Sequence, residues 1–318
     1  RDALAISYLR QNRGSDALTI LDEMTRTAKT REEEADLLSR ILDLYYDRDD
    51  YDEALVIARR LLALEFVDEA TPQRPFTLKE KALYLLGDVL LRQGDGDGAM
   101  AAFGQLLDQY EGSLFEIPVR LNRATHLFAT GNLDGAVVAF EDLRTRGLDK
   151  EQAFSVNFYL ANARYSLRQF EEAHRLFDEL LTSDPNAPER ADLLFGLAES
   201  KYQLGDFEQA SAHYRQILAE FPNETSADDS QYNLAWCLIE LGREDEAMAE
   251  FGRILENYPD SEFAAAAQFT FGDYAYNRQE YSEALNAYQK VQEAYPDAPV
   301  AAQVPRLLDE LKEALAYQ

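Results

Sequence analysis

The chain has 318 residues, of which 46% are hydrophobic and 11% aromatic, and a formal net charge of −28. That apolar content is too high for a disordered chain, the 15 Gly and 10 Pro are too few for long linkers, and no apolar run approaches the ~18 residues of a bilayer span. Such a surface makes nucleic acid a poor partner and a basic protein or peptide a better one.

A single cysteine, Cys237, excludes an internal disulfide and leaves the compartment open. Only seven of the 31 basic residues are Lys, a bias that fits either a salty habitat or a GC-rich genome. The sequence opens at Arg1, with neither an initiating Met nor a signal peptide, so a longer or processed parent chain is expected.

Along the chain a helical pattern recurs with a fixed step. Ala17 and Ala54 are 37 residues apart, and so are successive members of the series Ala99, Ala136, Ala173, Ala210, Ala247 and Ala284. Between Ala54 and Ala99 the step is 45, an excess of 8 that marks an insertion around "FVDEATPQRPFT", 66–77. Four residues after each Ala stand Leu21, Ala58, Phe103, Phe140, Phe177, Tyr214, Phe251 and Tyr288. Three further on stand Met24, Leu61, Leu106, Leu143, Leu180, Ile217, Ile254 and Val291. Offsets of 0, 4 and 7 define one face of a helix. Twelve residues before each Ala a second column reads Ala5, Leu42, Gly87, Ala124, Ala161, Ala198, Ala235 and Gly272, nearly all small. Each unit therefore holds two helices whose small residues let the backbones approach.

In chain order the predicted units are 1–30, 31–67, 78–113, 114–150, 151–187, 188–224, 225–261 and 262–298. The turn inside each unit resembles "LGDFEQ", where Asp206 is placed to cap the second helix and Gln209 to complete a capping box. Pro185, Pro222, Pro259 and Pro296 end the second helices of the last four units. The tail 299–318 carries Val304, Leu307, Leu308, Leu311 and Leu315 on one stripe, the pattern of a capping helix. Unit 1 starts inside its first helix. A single helix pair cannot bury its apolar faces, but stacked pairs can, so the expected fold is an all-α solenoid.

Chemistry-bearing motifs are scarce. "GDGDGAM" (94–100) has the start of a calcium loop, but the twelfth place from Asp95 is Leu106, a core position, so an inter-helix turn is the better account. His126, His174 and His213 lie in different units without ligand spacing, so no metal site is expected. "REEEAD" (31–36) is a solvated helix start whose acids suit the dipole. No phosphate loop, HExxH or nucleophile elbow occurs. We expect no enzyme, no catalytic residue and no cofactor.

The repeated small–small–aromatic–Pro pattern resembles the tetratricopeptide repeat family over nearly the whole chain. It departs from the family in its step of 37 and in the residues near the start of the first helix: Leu83, Arg120, Asn157, Leu194, Gln231 and Gln268. The linker "YPDSEFAAAAQF" (258–269) is similar to bacterial envelope members: the outer-membrane assembly lipoprotein and the Tol–Pal-associated periplasmic protein. The resemblance implies a right-handed α-solenoid of about eight repeats whose first helices face a concave, peptide-binding groove. It also implies a non-catalytic scaffold, periplasmic or outer-membrane-associated, with a cytoplasmic site as the alternative. A peptide-sensing regulator whose output domain lies outside this chain is the alternative function.

The only Trp, Trp236, points nearly opposite its own pair's face at about 100° per residue, with Tyr232 and Ile239 on its side. On the face that the resemblance assigns to the groove, the Trp236 column is otherwise polar and includes Asn162, Glu199 and Asp273. It is flanked by a Tyr232 column with Phe195 and Phe269 and by an Ile239 column with Tyr165, Tyr202 and Tyr276. For the two aromatic rails packing and binding fit equally. Trp236 is expected to bind, and Cys237 to be a buried spectator. The expected partner is a protein or peptide, basic or mixed basic and apolar. The Lys, Arg and Asn clamp with which some family members hold a carboxylate is missing, Asn162 alone fitting it.

Overall fold

The computed structural model describes residues 4, 5, 7, 8, 11 and 13–316. Part of the expected first helix of unit 1, including residues 1–3, lies outside them. Among the described residues the chain is all helical apart from one isolated bridge, Thr71 with Arg74, in the 66–77 insertion. It falls into two compact units, residues 1–156 and 157–318.

The first unit contains α1 (Gly14–Arg26), α2 (Arg31–Asp47), α3 (Tyr51–Ala63), α4 (Leu78–Arg92), α5 (Gly96–Gln109), α6 (Glu116–Ala129) and α7 (Leu133–Arg144). The following helix, α8 (Lys150–Ser166), runs across the division. The second unit continues with α9 (Phe170–Ser183), α10 (Arg190–Gln203), α11 (Phe207–Glu220), α12 (Ala227–Glu240), α13 (Glu244–Asn257), α14 (Ala264–Asn277) and α15 (Tyr281–Ala294). A 3₁₀ turn (Pro299–Gln303) then leads into α16 (Val304–Ala316). Neighbouring helices in sequence pack on one another within each unit.

The repeating columns explain that packing. Ala173, Ala210, Ala247 and Ala284 are fully buried on the second helices of their pairs, and Ala161, Ala198 and Ala235 on the first. Phe177, Tyr214, Phe251 and Tyr288 fill the adjoining space, each at most 2% exposed. At Gly87 and Gly272 the helices come very close: a Cβ there would stand 2.3 Å from the Phe103 and Tyr288 rings. Val304, Leu308 and Leu311 of α16 bury against Ala284, Tyr288 and Val291, so the last helix covers the last pair. Ala198 and Ala210 share one core cluster. Ala210→Leu should overpack it and cost ~1–3 kcal/mol, read as a lower urea midpoint. An unchanged midpoint would place Ala210 off the helix crossing.

Turn chemistry sets the pair geometry. Asp206 accepts a hydrogen bond from the Gln209 N–H at 3.3 Å and caps α11. The full reciprocal box, however, forms at Thr77 and Glu80 at the start of α4 rather than at Asp206 and Gln209. There the insertion adds a third acceptor, since Asp68 takes the Leu78 and Lys79 N–H groups, each at 2.9 Å. In "GDGDGAM" Asp95 caps α5 through the Gly98 N–H at 2.9 Å.

The inter-helix turn also needs one left-handed residue. Gly94, Gly131, Gly205 and Gly242 supply it with φ of 72 to 83°, whereas Asp49, Arg168 and Gln279 hold the same position at φ 59 to 63°. An L-residue there costs ~1–2 kcal/mol, which the greater freedom of an unfolded glycine offsets only in part. Gln279→Gly should therefore add ~0.5–1 kcal/mol of stability, and a lower melting temperature would contradict this account of the turn.

Candidate functional site

All the candidate binding residues lie in the second unit, on α8, α10, α12 and α14, the first helices of its four pairs. Three columns, each with successive positions 37 residues apart, place them on corresponding faces.

The column of Phe158, Phe195, Tyr232 and Phe269 turns toward its own pair. Each ring meets the large aromatic of the following helix: Phe158 with Phe177 at 6.5 Å, Phe195 with Tyr214 at 6.1 Å, Tyr232 with Phe251 at 5.8 Å, and Phe269 with Tyr288 at 5.1 Å. Tyr232 also stacks on Phe263 of the next loop at 4.7 Å. The column of Tyr165, Tyr202, Ile239 and Tyr276 packs at the other end of the pair. Tyr165 meets Phe170, Tyr202 meets Phe207, and Tyr276 meets Tyr281, at 5.3 to 5.8 Å. Both rails thus have a structural role. The rings are nevertheless half-buried rather than enclosed, and Tyr276 is 41% exposed.

The middle column carries the polar groups. Glu199 is a hub that joins three consecutive pairs. Its carboxylate accepts from the Tyr165 hydroxyl at 2.8 Å, from the Asn233 side-chain amide at 2.9 Å, and from the buried Tyr214 hydroxyl. Asp273 accepts from Tyr288 in the same way, but its own side chain stays exposed. Burial and these carboxylates push the Tyr165, Tyr214 and Tyr288 phenols upward, so the hydroxyls remain donors at any ordinary pH. Asn162 spends its amide on the Phe158 carbonyl at 2.8 Å.

In the pair of α12 and α13 the second-helix aromatic is Phe251, which offers no hydroxyl, and the first helix has Trp236 in place of an acid. The indole meets Phe251 edge to face at 5.7 Å and Tyr232 at 6.1 Å. Its remaining surface lines an open cleft of about 460 Å³ with Ile239, Met248, Thr270 and Asp273. A second pocket, about 250 Å³, opens between α8 and α10, lined by Phe158, Tyr165, Phe177, Asp192, Phe195 and Glu199.

Sequence reasoning missed several residues that shape this face. Asn233 braces Glu199, and Asp192 and Asp229 add negative charge two helical turns earlier. Burial, with Glu224 and Glu189 nearby, pushes the Asp192 carboxyl up. Burial, with Asp228, Glu262 and Glu199 nearby, does the same to Asp229. Both acids stand seven residues before a middle-column residue, a spacing that would have marked them.

Cys237, beside Trp236, is fully buried, and burial pushes its thiol up to about 12. The native thiol should label with a disulfide reagent at pH 8 orders of magnitude more slowly than the urea-unfolded chain. Fast stoichiometric labelling of the native protein would overturn that placement.

Three family models described as "Tetratricopeptide repeat" match the chain: one over residues 202–269, one over 121–188 and again 158–225, and one over 81–113 and 266–298. Together they run over 81–113 and 121–298, more than half of the chain. No curated protein sequence matches. Among solved structures the chain is similar to a tetratricopeptide repeat protein from Parabacteroides merdae, at 17% identity and TM-score 0.54, over 87% of this chain and 98% of that one. It is also similar to PilW, described as a widely conserved type IV pilus biogenesis factor, at 16% identity and TM-score 0.52 over 71% and 94% of the two chains. PilF of Pseudomonas aeruginosa gives 16% identity and TM-score 0.52 over 73% and 95%. At these identities the likeness is one of fold.

Proposed function

The chain belongs to the tetratricopeptide repeat family, and we propose that it is a non-catalytic scaffold that holds a partner protein or peptide against the first-helix face of its second unit. Proteins of this family generally mediate protein–protein interactions. The observation that carries the assignment to this face is Trp236. It takes the place of an acid in a polar column, and part of its ring lines an open cleft instead of closing the core. A partly covered Trp with apolar neighbours and a polar rim is the composition of an interface hot spot. Phe195, Tyr202, Tyr232, Ile239, Phe269 and Tyr276 supply the apolar surround, and Asn162, Tyr165, Glu199 and Asp273 the polar one.

Charge defines the partner. Asp192 and Glu199 line one pocket, Asp229 stands near Glu199, and Asp273 lines the Trp236 cleft, in a chain of net charge −28, which favours a segment that mixes basic and apolar residues. Among the described residues no helix is long and apolar enough to cross a membrane. We place the scaffold in a bacterial envelope on the "YPDSEFAAAAQF" linker, a placement that PilW and PilF accompany without carrying.

Selection from a displayed random-peptide library against the whole chain tests this reading. Enriched peptides should combine Lys or Arg with aromatic or aliphatic residues, and their association should slow as salt rises. Acidic or purely apolar winners, or association indifferent to salt, would overturn it.

A further inference from the structure

The pocket between α8 and α10 has a more specific chemistry than the face around it. At about 250 Å³ it is smaller than the ~300–1,000 Å³ of most small-molecule sites and suits a single side chain. Phe177 forms its floor, pressed so close to α10 that a Cβ on Gly196 would stand 2.6 Å from the ring. Phe158 meets Phe177 edge to face, at an interplanar angle of 73° and a centroid distance of 6.5 Å, so both rings contribute to the lining. Tyr165 and Phe195 stand on the two flanking helices, the first fixed by its hydrogen bond to Glu199 and the second by its edge contact with Tyr214. The polar lining is Asn162, Asp192 and Glu199, and no basic side chain is part of it.

We propose that this pocket takes the cationic head of a lysine or arginine side chain of the bound segment. The proposal rests on the binding face described above and assigns one anchor within it. Aromatic faces attract an ammonium or guanidinium ion through the ring quadrupole, and a flanking carboxylate supplies the counter-charge. A neutral side chain would cover the same rings but would also desolvate Asp192 without pairing it. Asp192, an exposed carboxylate pushed up by partial desolvation and by the neighbouring Glu224 and Glu189, gains a counter-charge from an incoming cation. Asn162, whose amide is bound to the Phe158 carbonyl, keeps its side-chain oxygen as a further acceptor.

The test uses the whole chain, labelled with ¹⁵N, and three probes: Nα-acetyl-lysine amide, Nα-acetyl-arginine amide and the neutral Nα-acetyl-norleucine amide. The two cations should give saturable shifts at the Gly196 backbone and Asn162 side-chain amides, with millimolar dissociation constants, and norleucine should not. Asp192→Asn, a substitution on an exposed side chain, should leave the melt unchanged and weaken the cations by about 5-fold or more. Phe195→Leu should weaken them further. Equal shifts with norleucine would make the pocket merely apolar and overturn the proposal. Non-saturating shifts that Asp192→Asn leaves unaltered would show only counterion attraction to an acidic surface, and would overturn it too. If selected peptides still bind through Trp236 when this test fails, the pocket assignment alone falls.

Discussion

Glu199→Ala should destabilise the second unit by roughly 2–4 kcal/mol. The substitution removes the acceptor for three donors on three different helix pairs, Tyr165, Asn233 and Tyr214. Tyr214 is fully buried, so its hydroxyl cannot turn to water, and an unsatisfied buried donor alone costs about 1–3 kcal/mol. Loss of charge-assisted bonds from the half-buried Tyr165 and Asn233 adds to that, less than additively because they share one acceptor. Glu199→Gln, which keeps an acceptor, should cost less. Combining Glu199→Ala with Tyr214→Phe should recover part of the loss, because the orphaned hydroxyl is then gone. Urea melts of the four proteins decide it. A double variant less stable than Glu199→Ala alone would mean that the Tyr214 hydroxyl was never the problem.

That hub shows what the sequence can and cannot convey. The step of 37 was legible because packing repeats: Ala210 and Ala247, or Phe177 and Phe251, must solve one crossing problem in every pair. Any one column is noisy, and eight copies average the noise. The middle column was legible as polar, but its purpose was not. Glu199 and Asp273 stand fifteen residues before Tyr214 and Tyr288, and Trp236 fifteen before Phe251, a pairing of acceptor with hydroxyl and ring with ring. The correlation is broken by Asp88, which answers instead to Tyr46 and Arg92, and by Asp43, which pairs with Lys81. A rule kept in three units, by two different chemistries, and broken in two others does not stand out in a single chain.

Turn positions behaved the same way. Gly94, Gly131, Gly205 and Gly242 advertise the left-handed residue, but Arg168 and Gln279 hide it, since nothing in their chemistry asks for positive φ. For the aromatic rails the sequence fits packing and binding equally, and the geometry shows the packing role while leaving ring surface uncovered. A ring that covers its pair's second helix on one side leaves the other side open for contact. The pocket between α8 and α10 was not legible at all. It requires Phe158, Phe177 and Asp192 to converge from three helices, and only the superposition of pairs brings them together.

Trp236→Ala should separate folding from binding more sharply than any other substitution on this face. Truncating a fully enclosed aromatic costs about 3–5 kcal/mol of stability. The indole here has one side on Phe251 and Tyr232 and the other on an open cleft, so the stability cost should fall below that range. Removing a central interface Trp costs about 2–4 kcal/mol of affinity, a weakening of tens-fold or more. Affinity for a selected peptide should therefore collapse while most of the melting temperature is kept. A large loss of stability, with binding falling only in proportion to the unfolded fraction, would assign the indole to the core. Cys237→Ala, one residue away on the buried flank, should leave peptide affinity unchanged.

Because Trp236 is the only Trp in the chain, its fluorescence reports on the proposed binding face without any label. The direct measurement is acrylamide quenching of the free protein, repeated at saturating concentration of a selected basic–aromatic peptide. The expected result is an emission maximum between those of buried and fully solvated indole, ready quenching in the free state, and protection when the peptide is bound. A blue-shifted emission that acrylamide cannot reach in the free protein would bury Trp236 in the core and remove the residue on which the binding face depends.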